Sequence, residues 1–161
     1  MERLTLTHMA PVVAETERHF SALGNSSVRL SLMSVSSSSM TVAALSSAVC
    51  SAAAPADIVG ILVDGSIGIL SLRALGTDGG KGVEDRFLAR LKLVLSAICF
   101  GREMGPLCFR AVHRWATELS EPGDLVDTLM DSRPTMVMLP LSRKANGAPF
   151  ARPAEALRHS A

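Results

Sequence analysis

The chain has 161 residues, of which 48% are hydrophobic and 19% are charged, and its formal net charge is +1. This length predicts one domain with a sizeable hydrophobic core. The near-neutral charge argues against nucleic acid or an acidic membrane surface as a partner. Aromatic residues make up only 4% of the chain, with no tyrosine, which weakens the case for binding by base stacking.

Cysteine usage and hydropathy predict a cytoplasmic protein without a membrane span. The three cysteines, Cys50, Cys99 and Cys108, lack metal-ligand spacing and lie in apolar runs, so buried reduced thiols are expected. The first residues contain no basic region followed by an apolar one, which predicts that there is no signal peptide. No apolar run reaches the roughly 18 residues that a transmembrane helix needs.

The N-terminal third predicts a helix, a strand and a second helix. Apolar residues recur at helical spacing over Thr7–Leu23. Ser27–Val35 alternates apolar and polar residues, which is typical of a strand. Ser36–Ser39 predicts a polar loop, and the small residues of Met40–Ala53 predict a helix that ends before Pro55.

A hairpin is predicted over Ala56–Leu72. Its two apolar runs are Asp57–Val63 and Ile67–Leu72, and the turn-forming residues Asp64–Gly65–Ser66 separate them. Asp-Gly between apolar runs is a strong hairpin signal, because a tight turn needs positive φ angles that these residues tolerate. The continuous apolar runs indicate a central hairpin that is covered on at least one face.

The next segments alternate between helix and strand. Gly76–Gly82 is rich in glycine and predicts either a flexible connection or a phosphate-binding loop ahead of a helix. Val83–Phe100 has the clearest helical periodicity of the chain. Leu107–Ala116 alternates as a strand, although neither of its faces is cleanly apolar.

The C-terminal part predicts a short helix within Ser120–Asp131 and a last strand at Thr135–Leu141. Ser142–Ala161 contains scattered prolines and basic residues and predicts a flexible tail. A single domain is therefore expected over 1–141, followed by a tail over 142–161.

The order of these elements predicts an α+β fold with an antiparallel sheet and helices on one face. A β-α-β-β-α-β core preceded by an N-terminal helix is the ferredoxin-like pattern, which is also the core of nucleotide-cyclase-like folds. With this order, the sequence resembles the GGDEF family of diguanylate cyclases from about Val28 to Met130. Asp57–Ser71 aligns without a gap with the family's D-x-V-x-R-x-G-G-D-E-F-x-V-L-L strand, and Arg90–Leu95 is similar to its R-L-x-x-x-L helix.

The residues that carry the chemistry of the family are changed in this chain. The residues in place of the G-G-D/E-E-F signature are Val63, Asp64, Gly65, Ser66 and Ile67. Ser34–Ser36 lies where the family keeps a metal-binding aspartate, and serine hydroxyls cannot replace its charge toward Mg²⁺. Of the family's inhibitory R-x-x-D site, Asp57 is retained, whereas Ala54 stands at the arginine position. The resemblance therefore implies a pseudoenzyme with no catalytic residues, no metal and no cofactor.

The sequence is compatible with three functions. The leading one is an inactive GGDEF-like regulatory or scaffolding protein that binds another protein or forms a homodimer, through the first helix or the strand with Arg110, His113 and Arg114. The second is a non-catalytic sensor of a guanine nucleotide or cyclic dinucleotide, with phosphate held by Gly76–Gly82 or by Arg110 and Arg114. The third is an enzyme of another class that uses His113 with an acidic residue from a neighbouring loop.

Overall fold

The structure, a computed structural model, describes residues 28–74, 80–98, 104–120 and 123–139. Its elements in chain order are β1 (Val28–Ser37), α1 (Val42–Ala52), β2 (Ile58–Ile61), β3 (Ile67–Ala74), α2 (Gly80–Ile98), β4 (Leu107–Trp115), a 3-10 helix (Ala116–Glu118), α3 (Gly123–Asp131) and β5 (Thr135–Val137). The expected α+β class is confirmed. The predicted helix at Thr7–Leu23, the thiol of Cys99 and the tail at Ser142–Ala161 lie outside the described residues.

The five strands form one antiparallel sheet in the order β2-β3-β1-β4-β5. The β2–β3 hairpin is confirmed, but its predicted central position is wrong, because β2 lies at one edge and β1 lies in the middle. β1 suits the centre because its side chains from Leu30 to Val35 are buried on both faces of the sheet. A strand in the middle of a sheet has a hydrogen-bonded neighbour on each side and can be covered on both faces. This position suits β1, whose side chains are buried on both faces.

Helices α1 and α2 cover one side of the sheet, called here the front face. α1 begins at the N-cap Thr41, whose Oγ1 accepts a hydrogen bond from the Ala44 backbone nitrogen at 3.3 Å. The front core joins apolar residues of both helices and four strands: Met33, Val35, Leu45, Ala48, Val49, Ala52, Ile67, Ile69, Val83, Phe87, Leu91, Leu95, Leu107, Phe109 and Val137. Phe87 of α2 stacks on Phe109 of β4 with ring centroids 6.5 Å apart.

Helix α3 packs on the opposite side, called here the back face, so the expectation that all helices share one face is wrong. The back core consists of Val28, Leu30, Leu32, Leu62, Leu70, Val112, Ala116, Leu125, Val126 and Leu129. The apolar residues of β1 that alternate with the front-face residues point to the back face and must also be buried. The apolar side of α3 packs on them, so helices lie on both faces of the sheet.

Several element boundaries differ from the sequence prediction. β1 continues through Ser36 and Ser37, because these residues pair with Cys108 and Leu107 of β4. Helix α2 begins at Gly80, so the end of the glycine-rich segment is helical and does not form a loop. The expected burial of Cys50 is also wrong: its thiol is free and exposed on α1.

Within the described stretches, no helix combines the length and apolar character needed to cross a membrane.

Candidate functional site

A row of polar side chains crosses the front face next to the apolar core. Ser31 of β1 lies opposite Ser71 of β3 on one side and opposite His113 of β4 on the other. Both serines are buried, at 1% and 0% exposure. Buried hydroxyl groups require hydrogen-bond partners, and the flanking side chains provide them.

His113 is held at both ring nitrogens. Nδ1 lies 2.8 Å from Ser31 Oγ, and Nε2 lies 2.6 Å from Glu84 Oε1 on helix α2. With Glu84 ionised, the network assigns the Nε2 hydrogen to the bond with Glu84 and leaves Nδ1 to accept from the serine in the neutral tautomer; a protonated ring donates from both nitrogens. The Cα of Gly80 lies against the imidazole ring.

This serine–histidine–carboxylate chain resembles a nucleophile with its base, but its burial favours a structural role. Ser31 Oγ lies inside the sheet, where a substrate cannot reach it. The side chains of His113 and Glu84 are 16% and 24% exposed. The contact ties the start of α2 to the middle of the sheet. The sequence predicted an acidic partner for His113 in a neighbouring loop. In the structure the partner is Glu84, which lies on α2, 29 positions earlier in the chain.

Asp57 links the loop between α1 and β2 to strand β3 through hydrogen bonds. Its Oδ1 accepts a hydrogen bond from Ser71 Oγ at 2.5 Å, and its Oδ2 accepts one from the Ala54 backbone nitrogen at 2.7 Å. The residue that the resemblance assigns to the remnant of an inhibitory site therefore has structural hydrogen bonds within the fold.

The hairpin turn, to which the sequence resemblance assigns the position of the GGDEF signature, is closed by its own hydrogen bonds. The backbone nitrogen of Gly65 donates to the Leu62 carbonyl, and that of Leu62 donates to the Ser66 carbonyl, each at 2.9 Å. Gly65 has φ = 82°. This combination is typical of a turn followed by a left-handed residue that forms a bulge. Of the neighbouring residues, Val63 is 79% exposed at the tip and Ile67 is 1% exposed in the core.

The carboxylate of Asp64 is engaged inside this turn. Its Oδ1 accepts from the Ser66 backbone nitrogen at 3.0 Å and from Ser66 Oγ at 2.6 Å. Its Oδ2 lies 3.7 Å from Arg110 Nη1. The nearby Ser34 is 3% exposed and offers only a hydroxyl group. These residues do not fit the paired carboxylates that the resemblance implies for Mg²⁺.

The remaining predicted site residues lie on different faces of β4. Alternation directs Arg110 and Arg114 to the back face and His113 to the front face. Arg110 lies beside Asp64, whereas Arg114 Nη1 donates to the carbonyl oxygen of His113 at 3.0 Å. The three side chains therefore do not form one pocket on a single face. Within the four described stretches, no group of three or more histidine, cysteine or acidic side chains gathers as metal ligands.

A cleft of about 600 Å³ follows the outer edge of β4, called here the β4 cleft. Its walls include Arg29, His113, Arg114, Thr128, Asp131 and Ser132. Arg29 also lies over the ring of Trp115, with its guanidinium carbon 5.3 Å from the ring centroid. The cleft brings His113 and Arg114 together around the strand edge. The sequence did not indicate Arg29 or the α3 residues as part of a site. The pairing of β1 with β4 places Arg29 opposite Trp115, and the packing of α3 on the back face places Thr128 and Asp131 at the cleft.

Comparison of the chain with models of protein families, with curated proteins and with solved structures found no match in any of the three. The resemblance to GGDEF domains therefore rests on the residue pattern and on the order of the elements.

Proposed function

We propose that this chain is a catalytically inactive, GGDEF-like domain with a ferredoxin-like core, and that it regulates or scaffolds by binding another protein. The observation that carries the proposal is the closed hairpin turn. At the position of the signature, the carboxylate of Asp64 accepts two hydrogen bonds from Ser66 and faces Arg110. A carboxylate engaged in this way is poorly placed to hold a metal ion against a triphosphate.

The arrangement of the sheet supports the assignment of the core. Strands β2, β3, β1 and β4 are neighbours in that order, and α1 and α2 connect them on the front face. A split β-α-β arrangement of this kind is the ferredoxin-like pattern. Helix α3 and β5 are additions to that core. Because fold alone does not determine function, the proposal rests on the turn.

The experiment that tests the proposal is a thermal-shift screen of the full chain with GTP, cyclic di-GMP, ATP and ADP, each with Mg²⁺. We expect no change in Tm with any of them. A ligand at about 100 times its Kd would contribute about 2.7 kcal/mol and raise Tm by roughly 5–10 °C for a domain of this size. A diguanylate cyclase with an intact signature serves as the positive control.

A shift with a guanine nucleotide would overturn the pure scaffold proposal. If the Arg110→Ser variant lost that shift while Lys92→Ser kept it, the chain would be a nucleotide sensor that uses Arg110. Lys92 is the matched control because it lies on α2 and not on β4.

A further inference from the structure

Strand β2 forms one edge of the sheet, and it pairs with β3 alone among the described strands. The backbone nitrogen of Leu62 donates to the Ser66 carbonyl across the hairpin. Positions that face the partner strand alternate along an antiparallel pair, so Gly60 also faces β3. The N–H and C=O groups of Val59 and Ile61 therefore point away from the sheet, where they can accept another strand.

The chain is almost uncharged along this edge. From Ser36 to Val63 it contains one charged residue, Asp57, although 19% of all residues are charged. Folded proteins commonly protect an edge strand with charged side chains or proline, and Ile58–Ile61 has neither. The carboxylate of Asp57 is turned into the fold, where it accepts hydrogen bonds from Ser71 and Ala54. Nothing on β2 therefore repels a second apolar strand.

Helix α1 lies beside the same edge on the front face. It packs mainly on β1, β2 and β3, whereas α2 packs mainly on β1 and β4. None of the eleven residues of α1 is charged. Its exposed side chains include Val42, at 52%, and Cys50, whereas the outer face of a surface helix is typically charged or polar. The side of the molecule formed by β2 and α1, called here the β2–α1 edge, is therefore uncharged in both layers.

The spacing of the two layers fits a second copy of the chain. Neighbouring strands lie about 4.8 Å apart, so one helix for every two strands gives a helix spacing of about 10 Å, within the range of packed helices. If β2 of a second copy continues the sheet, its α1 lies about 10 Å from the first α1. One contact then covers both layers. The edge offers no charge that would select a different protein, whereas a second copy is uncharged at the matching positions.

We propose that the chain forms a symmetric homodimer through the β2–α1 edge, in which β2 pairs antiparallel with β2 and α1 packs against α1. The two-fold axis passes between the two Gly60 residues. Val59 then exchanges backbone hydrogen bonds with Ile61 of the partner subunit. The glycines form a non-hydrogen-bonded pair, in which Cα atoms approach to about 4.5 Å, and they bring no side chains into this contact. Such an interface closes on itself as a dimer.

Sedimentation equilibrium of the full chain tests the dimer. With rising concentration, we expect the mass to approach twice the 17.0 kDa of one chain. Val42→Glu places a charge in the helix contact and should weaken dimerisation at least about tenfold. Leu93→Glu is the matched control and should leave dimerisation unchanged, because Leu93 is also an exposed apolar residue, at 72%, but lies on α2. A monomer at every concentration, or equal weakening by both variants, would overturn the proposal.

The backbone contact has its own test. Ile61→Pro removes an outward N–H group and no bond to β3, a change that an edge strand tolerates, and it should also weaken dimerisation at least about tenfold. Circular dichroism checks that the variant folds. In the unaltered chain, hydrogen exchange at the amides of Val59 and Ile61 should become faster on dilution. Protection that does not change with concentration would overturn the proposal, because the chain itself would then cover the edge.

This inference goes beyond the proposed function and does not depend on it. A guanine nucleotide that raises Tm would overturn the scaffold function and leave the dimer intact. A chain that stays monomeric would overturn the dimer and leave the scaffold function to be tested by the nucleotide screen.

Discussion

Gly80 and His113 meet where helix α2 begins above strand β4. An ideal Cβ atom added to Gly80 would lie 2.6 Å from His113 Nδ1 and closer still to Cγ. The imidazole cannot simply move away, because Ser31 and Glu84 hold its two nitrogens. The absence of a side chain at Gly80 is therefore what allows the ring to reach both partners.

Gly80→Ala should lower the free energy of unfolding by about 1–3 kcal/mol, as other overpacked sites do, in urea denaturation. Gly123→Ala is the matched control, since Gly123 is also the first residue of a helix and a Cβ there meets nothing within 4 Å. In the double variant Gly80→Ala/His113→Ala, most of the cost of the added methyl group should disappear. An unchanged cost in that background would show that the ring is not the cause.

The hairpin and α3 show what local sequence determines at the scale of an element. The Asp64–Gly65 pair predicted the turn because the chemistry of a tight turn is local. The stripe of α3 predicted a helix with one buried side, but periodicity does not indicate which face of a sheet a helix covers. The pairing of His113 with Glu84 could not be predicted from the sequence either, because it depends on how α2 packs over β4.

The turn of the hairpin depends on the backbone conformation of Gly65. Gly65→Ala should destabilise the protein by about 1–2 kcal/mol, because φ = 82° is costly for a residue with a Cβ, although open space surrounds that position. Gly65→Asn should cost less, since asparagine tolerates this region better. Thermal unfolding of the two variants measures the difference. Equal losses would point to a cause other than backbone strain.

At the scale of the molecule, the front and back cores share the central strand β1. Met33 and Val35 belong to the front core, and Leu30 and Leu32 belong to the back core. All four side chains are at most 1% exposed. Because both cores use the same strand, loss of packing on either face should destabilise the whole sheet.

Leu129→Ala in the back core and Leu91→Ala in the front core should each lower the free energy of unfolding by about 2–5 kcal/mol. Both side chains are fully buried, at 0% exposure. The chain has one tryptophan, so Trp115 fluorescence and far-UV circular dichroism follow unfolding independently. Their midpoints should coincide in both variants. Separate midpoints for Leu129→Ala would mean that α3 unfolds on its own.

The central position of β1 also has a consequence for biosynthesis. Among the described strands β1 emerges first from the ribosome, yet its neighbour β4 comes much later: Ser31 and His113 are 82 positions apart. At about 5–20 residues per second, the interval is roughly 4–16 s. During this time the edge of β1 that pairs with β4 in the folded protein has no partner. Unpaired edges of apolar strands promote aggregation. The nascent chain should therefore be a substrate for chaperones that bind extended apolar segments until β4 has been synthesised.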